Sequence, residues 1–280
     1  MVRRMSIEKR NTILRLLVEG NGVRSVCRLM GTDIHGVLRQ LTWAGEHCAN
    51  LLNEKLTGLR LRHVECDEIW TFCLKKQDRL TIEERAMRAD IGDIFAFTAQ
   101  DQDTRLIAYH LLGKRSADNA RRFMVGLRNR LGGLGIVDYP TIQVSTDGFA
   151  GYPEAVDLAF GTNARFGVII KEYRSARMNY TPSEMVRARR YAHRAIIGNQ
   201  KRTICTSHVE RNNLTIRTFM RRFTRLALGF SKKIENLEAA VNLHIAYFNF
   251  CWRPGKMKVT PAMAAGIADR IWRFDELLAG

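Results

Sequence analysis

At residue 63 the hydrophobic period of this chain changes, and no other feature constrains its fold as much. Before that point apolar residues recur at helical spacing. Ile7 to Glu19 places Ile13, Leu14 and Leu17 on one face, and Gly20-Asn21-Gly22 stops it. Val23 to Met30 reads as a short second helix ended by Gly31. Thr32 or Asp33 can cap a third, whose apolar stripe is Val37, Leu38 and Leu41. From residue 63 the period is two: Val64, Cys66, Trp70, Phe72 and Leu74 alternate with the opposite face, as a strand requires.

The elements that follow have an informative order. Asp93 to Ala99 and Arg105 to Leu112 read as strands joined by the turn-rich Gln100-Asp101-Gln102-Asp103-Thr104, a hairpin signal. Ser116 to Leu131 is helical, with Ala120, Phe123, Met124 and Leu127 on its buried face. Thr141 to Thr146 is a fourth strand, Tyr152 to Phe160 a helix, and Arg165 to Lys171 a fifth strand. Three strands, the first pair antiparallel, then helix, strand, helix, strand and helix is the order of the ribonuclease H-like fold. Upstream, a short helix, a glycine-containing turn and a longer helix match the helix-turn-helix pattern, whose second member enters the DNA major groove. A generic helical bundle with a basic face reads the same way.

Charge is unevenly placed along the 280 residues, whose net charge is +17. Residues 1–62 hold 11 Lys/Arg against 5 Asp/Glu, whereas residues 63–173 hold 14 against 16. Residues 174–205 hold 8 against 1, and residues 206–280 hold 12 against 6. An excess this large calls for a polyanionic partner. In the 174–205 segment, which reads as an insertion, Arg189, Arg190, Lys201 and Arg202 are mixed with Tyr180, Tyr191 and His193. Basic side chains there can meet phosphates while the rings stack on bases, although a solvated basic loop has the same composition. The apolar stretch from Leu237 to Trp252 is broken by Glu238, Asn242, His244 and Asn249, so no membrane span is expected. No charged-then-apolar leader opens the chain, and the six cysteines form no C-x-x-C pair, which leaves a reduced, cytoplasmic setting as the expectation.

Three carboxylates stand in settings that suit metal-dependent chemistry on phosphates. Asp67 lies inside a strand flanked by Trp70, Phe72 and Leu74, where an uncompensated charge is costly, and competes there with Glu65 and Glu68. Asp147 ends a strand, but Asp147-Gly148 is also a turn signal. Glu210 opens a helix, but Ser207-x-x-Glu210 also matches a capping box, in which the glutamate would serve only the backbone. Two strand aspartates and one helix glutamate can converge on hard divalent cations, which prefer oxygen ligands. Arg217 shares the face of Glu210 about two turns on, and Arg221, Arg222 and Arg225 continue a basic surface.

The runs Val64-Glu65-Cys66-Asp67-Glu68-Ile69-Trp70, Ser145-Thr146-Asp147-Gly148-Phe149 and Thr206-Ser207-His208-Val209-Glu210-Arg211-Asn212-Asn213-Leu214-Thr215-Ile216-Arg217 resemble the motifs of bacterial insertion-sequence DDE transposases. The match is to the family typified by the first numbered insertion sequence. Arg222-Phe223-Thr224-Arg225-Leu226, Phe230-Ser231-Lys232-Lys233, Tyr247-Phe248-Asn249-Phe250 and Thr260-Pro261-Ala262-Met263 continue it, so the resemblance covers nearly the whole chain. Two departures stand out: relatives often begin with a cysteine zinc ribbon, and often carry a histidine near Trp252-Arg253-Pro254-Gly255; both are missing here.

The resemblance implies an α/β protein made of a helix-turn-helix over residues 1–62, a ribonuclease H-like catalytic domain over 63–230 and a helical C-terminal tail over 231–280. It implies Asp67, Asp147 and Glu210 as a catalytic triad holding two Mg2+ ions, with Mn2+ as a substitute. Water would be activated to cut the ends of an element, and the freed 3′-hydroxyls would attack target DNA. The expected partners are double-stranded DNA, as element ends and as target, and further copies of the chain in a homodimer or larger assembly. Arg39, Arg189, Arg190, Lys201, Arg202, Arg217, Arg221, Arg222 and Arg225 are the candidate DNA contacts. The expected location is the cytoplasm of a bacterium, at the nucleoid. A transposase-derived DNA-binding regulator without chemistry, or a nuclease of the same fold, are the competing readings.

Overall fold

A computed structural model describes residues 5–132, 141–174, 184–192 and 203–279. Three helices come first. α1 (Ile7–Val18) is capped by Ser6, whose hydroxyl accepts from Lys9 N–H, and α2 (Val23–Met30) ends at Gly31. Gly31 adopts φ +53°, where a side chain would be strained, and Asp33 then caps α3 (Ile34–Lys55) by accepting from Gly36 N–H.

The sheet has six strands, in the order β3-β2-β1-β4-β5-β6. β1 (His63–Cys73) pairs antiparallel with β2 (Gly92–Asp101), which pairs antiparallel with β3 (Ile107–Gly113). On its other edge β1 runs parallel to β4 (Ile142–Thr146), and β4 parallel to β5 (Ala164–Arg174). This is the ribonuclease H-like arrangement that the element order implies. Two elements were not anticipated. α4 (Ile82–Met87) is a single exposed stretch between β1 and β2 with a capping box of Thr81 and Glu84. The second is β6 (Glu184–Ala192), antiparallel to β5, where the sequence suggests only a basic insertion. Its pairing comes from backbone hydrogen bonds, which need no apolar alternation, and exposed Arg187, Arg189 and Arg190 give the sheet a charged edge.

Helices α5 (Ala117–Arg130) and α6 (Tyr152–Phe160) pack together on one face of the sheet, and α7 (Ser207–Phe219) packs against β1 and β2. The alternation of β1 divides its side chains between them: Glu65 and Asp67 meet α7, while Glu68 meets Tyr152 of α6. The long α8 (Ile234–Phe250) is buried over most of its length, and α9 (Pro261–Ala264) and α10 (Phe274–Leu277) follow it. Asn249, fully buried, ties α8 to β3 by accepting from Ile107 N–H and donating to Ile107 C=O, both at 3.0 Å. α3 lies so close to α8 that a Cβ on Gly45 would stand 2.3 Å from Ala239 Cα. One buried core thus contains residues from 1–62, 63–230 and 231–280. Among the described residues no helix is long and apolar enough to cross a membrane.

Candidate metal centre

β1 and β4 are paired only from His63 to Glu65 and from Gln143 to Ser145. Beyond that point β1 continues to Cys73 along β2, with one further bridge from Cys73 to Ser231 at its far end, while β4 stops at Thr146. The edge of β1 is therefore open where Asp67 and Glu68 stand, and Asp147 enters that opening. Carboxylate oxygens of Asp67, Glu68 and Asp147 lie within 4.8 Å of one another. Neighbouring strand residues normally point to opposite faces, so sequence reasoning admits only one of Asp67 and Glu68 to a site. Both reach Asp147 because it sits past the end of its strand.

Each carboxylate is held by named partners. Asp67 accepts from Glu68 N–H at 2.9 Å and from the Asn213 amide of α7 at 2.8 Å. Glu68, whose side chain is 2% exposed, accepts from the Tyr152 hydroxyl and from Arg115 Nε at 2.9 Å. Asp147 accepts from Phe149 N–H at 3.0 Å, so the turn role that its sequence suggests is also filled. Its other oxygen pairs with Arg115 Nη2 at 3.2 Å. Arg115 thus bridges two of the three carboxylates, with its guanidinium 4.3 Å over the Phe149 ring.

The electrostatics are those of crowded anions. Burial, then the charges of Glu68 and Asp147 and more weakly Glu210, push the Asp67 carboxyl up to about 7. Burial and Asp147 likewise raise Glu68, against the hydrogen bonds from Tyr152 and Arg115.

Glu210 stands beside this group and not within it. The helix begins one residue earlier than a Ser207–Glu210 capping box needs: Thr206 is the N-cap and Ser207 the first helical residue, so Glu210 falls one position past N3. Glu210 caps nothing. Its carboxylate accepts from the Thr206 hydroxyl at 2.7 Å and pairs with Lys171 of β5. The capping-box reading is set aside by that geometry. What fastens α7 to β1 is Glu65, 1% exposed, which accepts from His208 N–H at 2.8 Å, Val209 N–H at 3.0 Å and His208 Nδ1 at 2.6 Å. Cys205 also lies near Glu65 and His208, but the Glu65 carboxylate is already engaged by the helix.

The basic candidates are placed differently from one another. Arg217 is partly buried, donates to Phe223 C=O at 3.3 Å, and has its pKa lowered by burial and Arg225 while Asp67 opposes the shift. Arg222 turns inward: its Nε donates to Ser231 at 2.9 Å, and burial lowers it to about 10. Its place is structural, so it is the basic residue of this set least free to meet a phosphate. Arg221 and Arg225 are exposed, as is Arg39 on α3. Arg189 pairs with Glu172 at 3.2 Å and Arg190 donates to Ile204 C=O at 2.9 Å; both remain exposed on β6. Lys201 and Arg202 lie outside the described residues, as do Tyr180 and His193. Sequence reasoning missed Arg115, Tyr152, Lys171 and Asn213. Only Asn213 carried a signal, lying three residues from Glu210 and so on its helix face.

No protein-family model and no curated protein matches the chain. Among solved structures, it is similar to a pre-cleavage Mos1 transpososome at 15% identity and TM-score 0.26, covering 59% of this chain and 61% of that one. The Mos1 strand transfer complex (16% identity, TM-score 0.25, 59% of this chain and 60% of that one) and a Mos1 mariner paired-end complex with Mn (13%, 0.26, 59% and 61%) are similar to the same extent. The chain thus spans about three-fifths of the length of these structures, and likeness at this level says nothing of residue roles.

Proposed function

We propose that the chain is a DNA transposase of the DDE type, cutting the ends of an insertion sequence and joining the 3′-hydroxyls to target DNA. The observation that carries this reading is the group of Asp67, Glu68 and Asp147, three carboxylates brought together at an open strand edge although their charges repel. The donor set is all oxygen and fits a hard divalent cation such as Mg2+ or Mn2+. Asp67 and Asp147 would hold it, with Glu210 as the third ligand once Lys171 releases it. Bound divalent ions supply activation of the attacking oxygen and charge neutralisation at the leaving one.

The protein's own groups do the rest. Asn213 orients Asp67, Tyr152 and Arg115 hold Glu68, and Glu65 sets the position of the helix that carries Glu210. The exposed cations on α3, on β6 and around residues 221–225 would bind DNA, so that α2 and α3 read the element's ends as a helix-turn-helix. The 174–205 segment adds affinity indifferent to sequence. Joining two ends calls for at least two copies of the chain on DNA.

The test is strand transfer on end-containing DNA beside equilibrium binding. Asp67→Asn, Asp147→Asn and Glu210→Gln should each abolish transfer and leave DNA binding within about threefold, because one ligand charge is lost while the phosphate contacts remain. Retained transfer in Asp67→Asn and Asp147→Asn would sink the proposal.

A further inference from the structure

The start of α7 carries a second cluster of ligating groups, and its chemistry differs from that of the carboxylate centre. Ligand atoms of Glu65, Cys205 and His208 lie within 4.8 Å of one another. Glu65 is buried and comes from β1, whereas Cys205 and His208 stand on either side of the N-cap of α7, Thr206. The helix occupies only one oxygen of the Glu65 carboxylate with its backbone. Oε2 accepts from the N–H groups of His208 and Val209, while Oε1 faces the His208 imidazole at 2.6 Å. A carboxylate oxygen has two lone pairs, so Oε1 retains acceptor capacity. Cys205, a free and partly exposed thiol, is held against the helix start. The Ser207 N–H donates to its sulfur at 3.4 Å, and the Ser207 hydroxyl lies 2.9 Å from it.

Sulfur, imidazole nitrogen and carboxylate oxygen together make the donor set of a borderline-soft cation, whereas Mg2+ takes oxygen donors. Zn2+ binds sulfur at about 2.3 Å and nitrogen or oxygen at about 2.0–2.2 Å, so rotation of the partly exposed Cys205 side chain closes this set on one ion. We propose that Oε1 of Glu65, a ring nitrogen of His208 and the sulfur of Cys205 form a Zn2+ site, with solvent as the fourth ligand. The thiol gives up its proton on binding, and the two anionic ligands then neutralise the ion, which lets it reach a buried carboxylate. This site goes beyond the transposase reading and does not depend on it. The ion ties together β1 through Glu65, the first turn of α7 through His208, and the segment entering that helix through Cys205. Glu65 and His208 each precede a carboxylate of the proposed hard-ion centre, Asp67 and Glu210, by two residues. Zn2+ thus braces the strand–helix junction from which those carboxylates project, and it takes no part in chemistry on phosphate.

The probe is Co2+, which occupies zinc sites and gives a thiolate-to-metal charge-transfer band in the near ultraviolet when sulfur is a ligand. The full chain, stripped of metal and kept reduced, is titrated with Co2+ and then with Zn2+ in competition. The parental chain should develop the band at about one metal per chain, and Zn2+ should abolish it. Cys205→Ser should remove the band and weaken Zn2+ binding at least about a hundredfold, since losing even a group that only supports a ligand costs up to that much. His208→Gln, which can still donate to Glu65, should weaken Zn2+ binding by about tenfold or more. Asp67→Asn should keep the band, because the two centres use different ligands. Zn2+ should also raise the urea midpoint of the parental chain and not that of Cys205→Ser. Cys205 is partly exposed, so its substitution does not endanger the fold and the test stands even if His208→Gln is unstable. A parental chain without the band overturns the inference. So does a band that survives Cys205→Ser, which places the metal on another cysteine, or one lost in Asp67→Asn, which places it at the carboxylate centre. Parental Zn2+ affinity in a folded His208→Gln overturns it as well.

Discussion

Glu65 of β1 accepts hydrogen bonds from the backbone N–H and the imidazole of His208, at the first turn of α7. The two residues lie two positions before Asp67 and Glu210 respectively, so this contact sets the distance between strand and helix carboxylates. A buried carboxylate on the positive end of a helix is favoured by the aligned backbone dipoles as well as by the hydrogen bonds.

Glu65→Ala should therefore cost both stability and chemistry. It leaves the N–H groups of His208 and Val209 without their acceptor, a loss of about 3 kcal/mol. Urea unfolding reads that loss directly. Strand transfer should fall at least tenfold while DNA binding holds, and Glu65→Gln, which keeps an acceptor, should recover part of the stability. An unchanged unfolding midpoint in Glu65→Ala would show that α7 is fixed by other contacts.

The acidic centre makes stability depend on pH. The folded Asp67 carboxyl titrates at about 7 against an ordinary value of 3.8, so between those limits the folded state binds more protons than the unfolded one. Stability of the metal-free protein should consequently fall as pH rises from about 4 to about 7, the reverse of a salt-bridged aspartate. Asp67→Asn should flatten that part of the curve, and Mn2+ should flatten it too while releasing protons on binding at pH 6. Urea midpoints across pH in EDTA, with and without Asp67→Asn, decide the matter; identical slopes would assign the charge crowding elsewhere.

Arg115 already neutralises Glu68 and Asp147, which sets it against any cation seeking the same oxygens. Arg115→Ala should tighten Mn2+ binding in the absence of DNA by about tenfold and lower metal-free stability modestly, since the guanidinium is partly solvated. Calorimetric titration with Mn2+ reads the first effect and urea unfolding the second. Weaker Mn2+ binding in Arg115→Ala would mean instead that the arginine organises the carboxylates for the metal.

The fold was legible where side-chain pattern and backbone agree. Helices α1, α2 and α3, with Gly31 and Asp33 at their junction, follow from apolar spacing and capping chemistry, and so do β1 to β5. β6 was hidden because an edge strand in a basic segment pairs through its backbone and shows no apolar alternation. At the centre, Asp67 and Asp147 could be named from strand position, but Glu68 could not. Its inclusion depends on β4 ending two residues before Gly148, a tertiary fact about where two strands part. Arg115 and Lys171 were invisible for a related reason: they are ordinary basic residues until the fold brings them onto Asp147 and Glu210. The capping-box signature at Ser207 misled because one residue of shift in the helix start moves Glu210 out of the capping position.

Arg217 offers the sharpest separation of binding from engagement. It lies seven residues beyond Glu210 on α7, close enough for the Asp67 charge to act on it, and its Nη1 holds the Phe223 carbonyl at 3.3 Å. One side of the guanidinium thus serves the turn after α7, and the rest of its donors can meet a phosphate near the carboxylates. Arg217→Ala should reduce strand transfer by about a hundredfold, on the scale of losing one positioned cation, while total DNA affinity changes less than threefold because many other cations share it. Arg217→Lys keeps the charge but loses the planar fork. It should restore transfer in part if charge near the metal site is what matters, and little if a bidentate grip is needed. Urea unfolding of both variants measures the contribution of the Phe223 contact separately. An Arg217→Ala protein that is fully stable and transfers strands at the parental rate would make this residue a bystander at the centre.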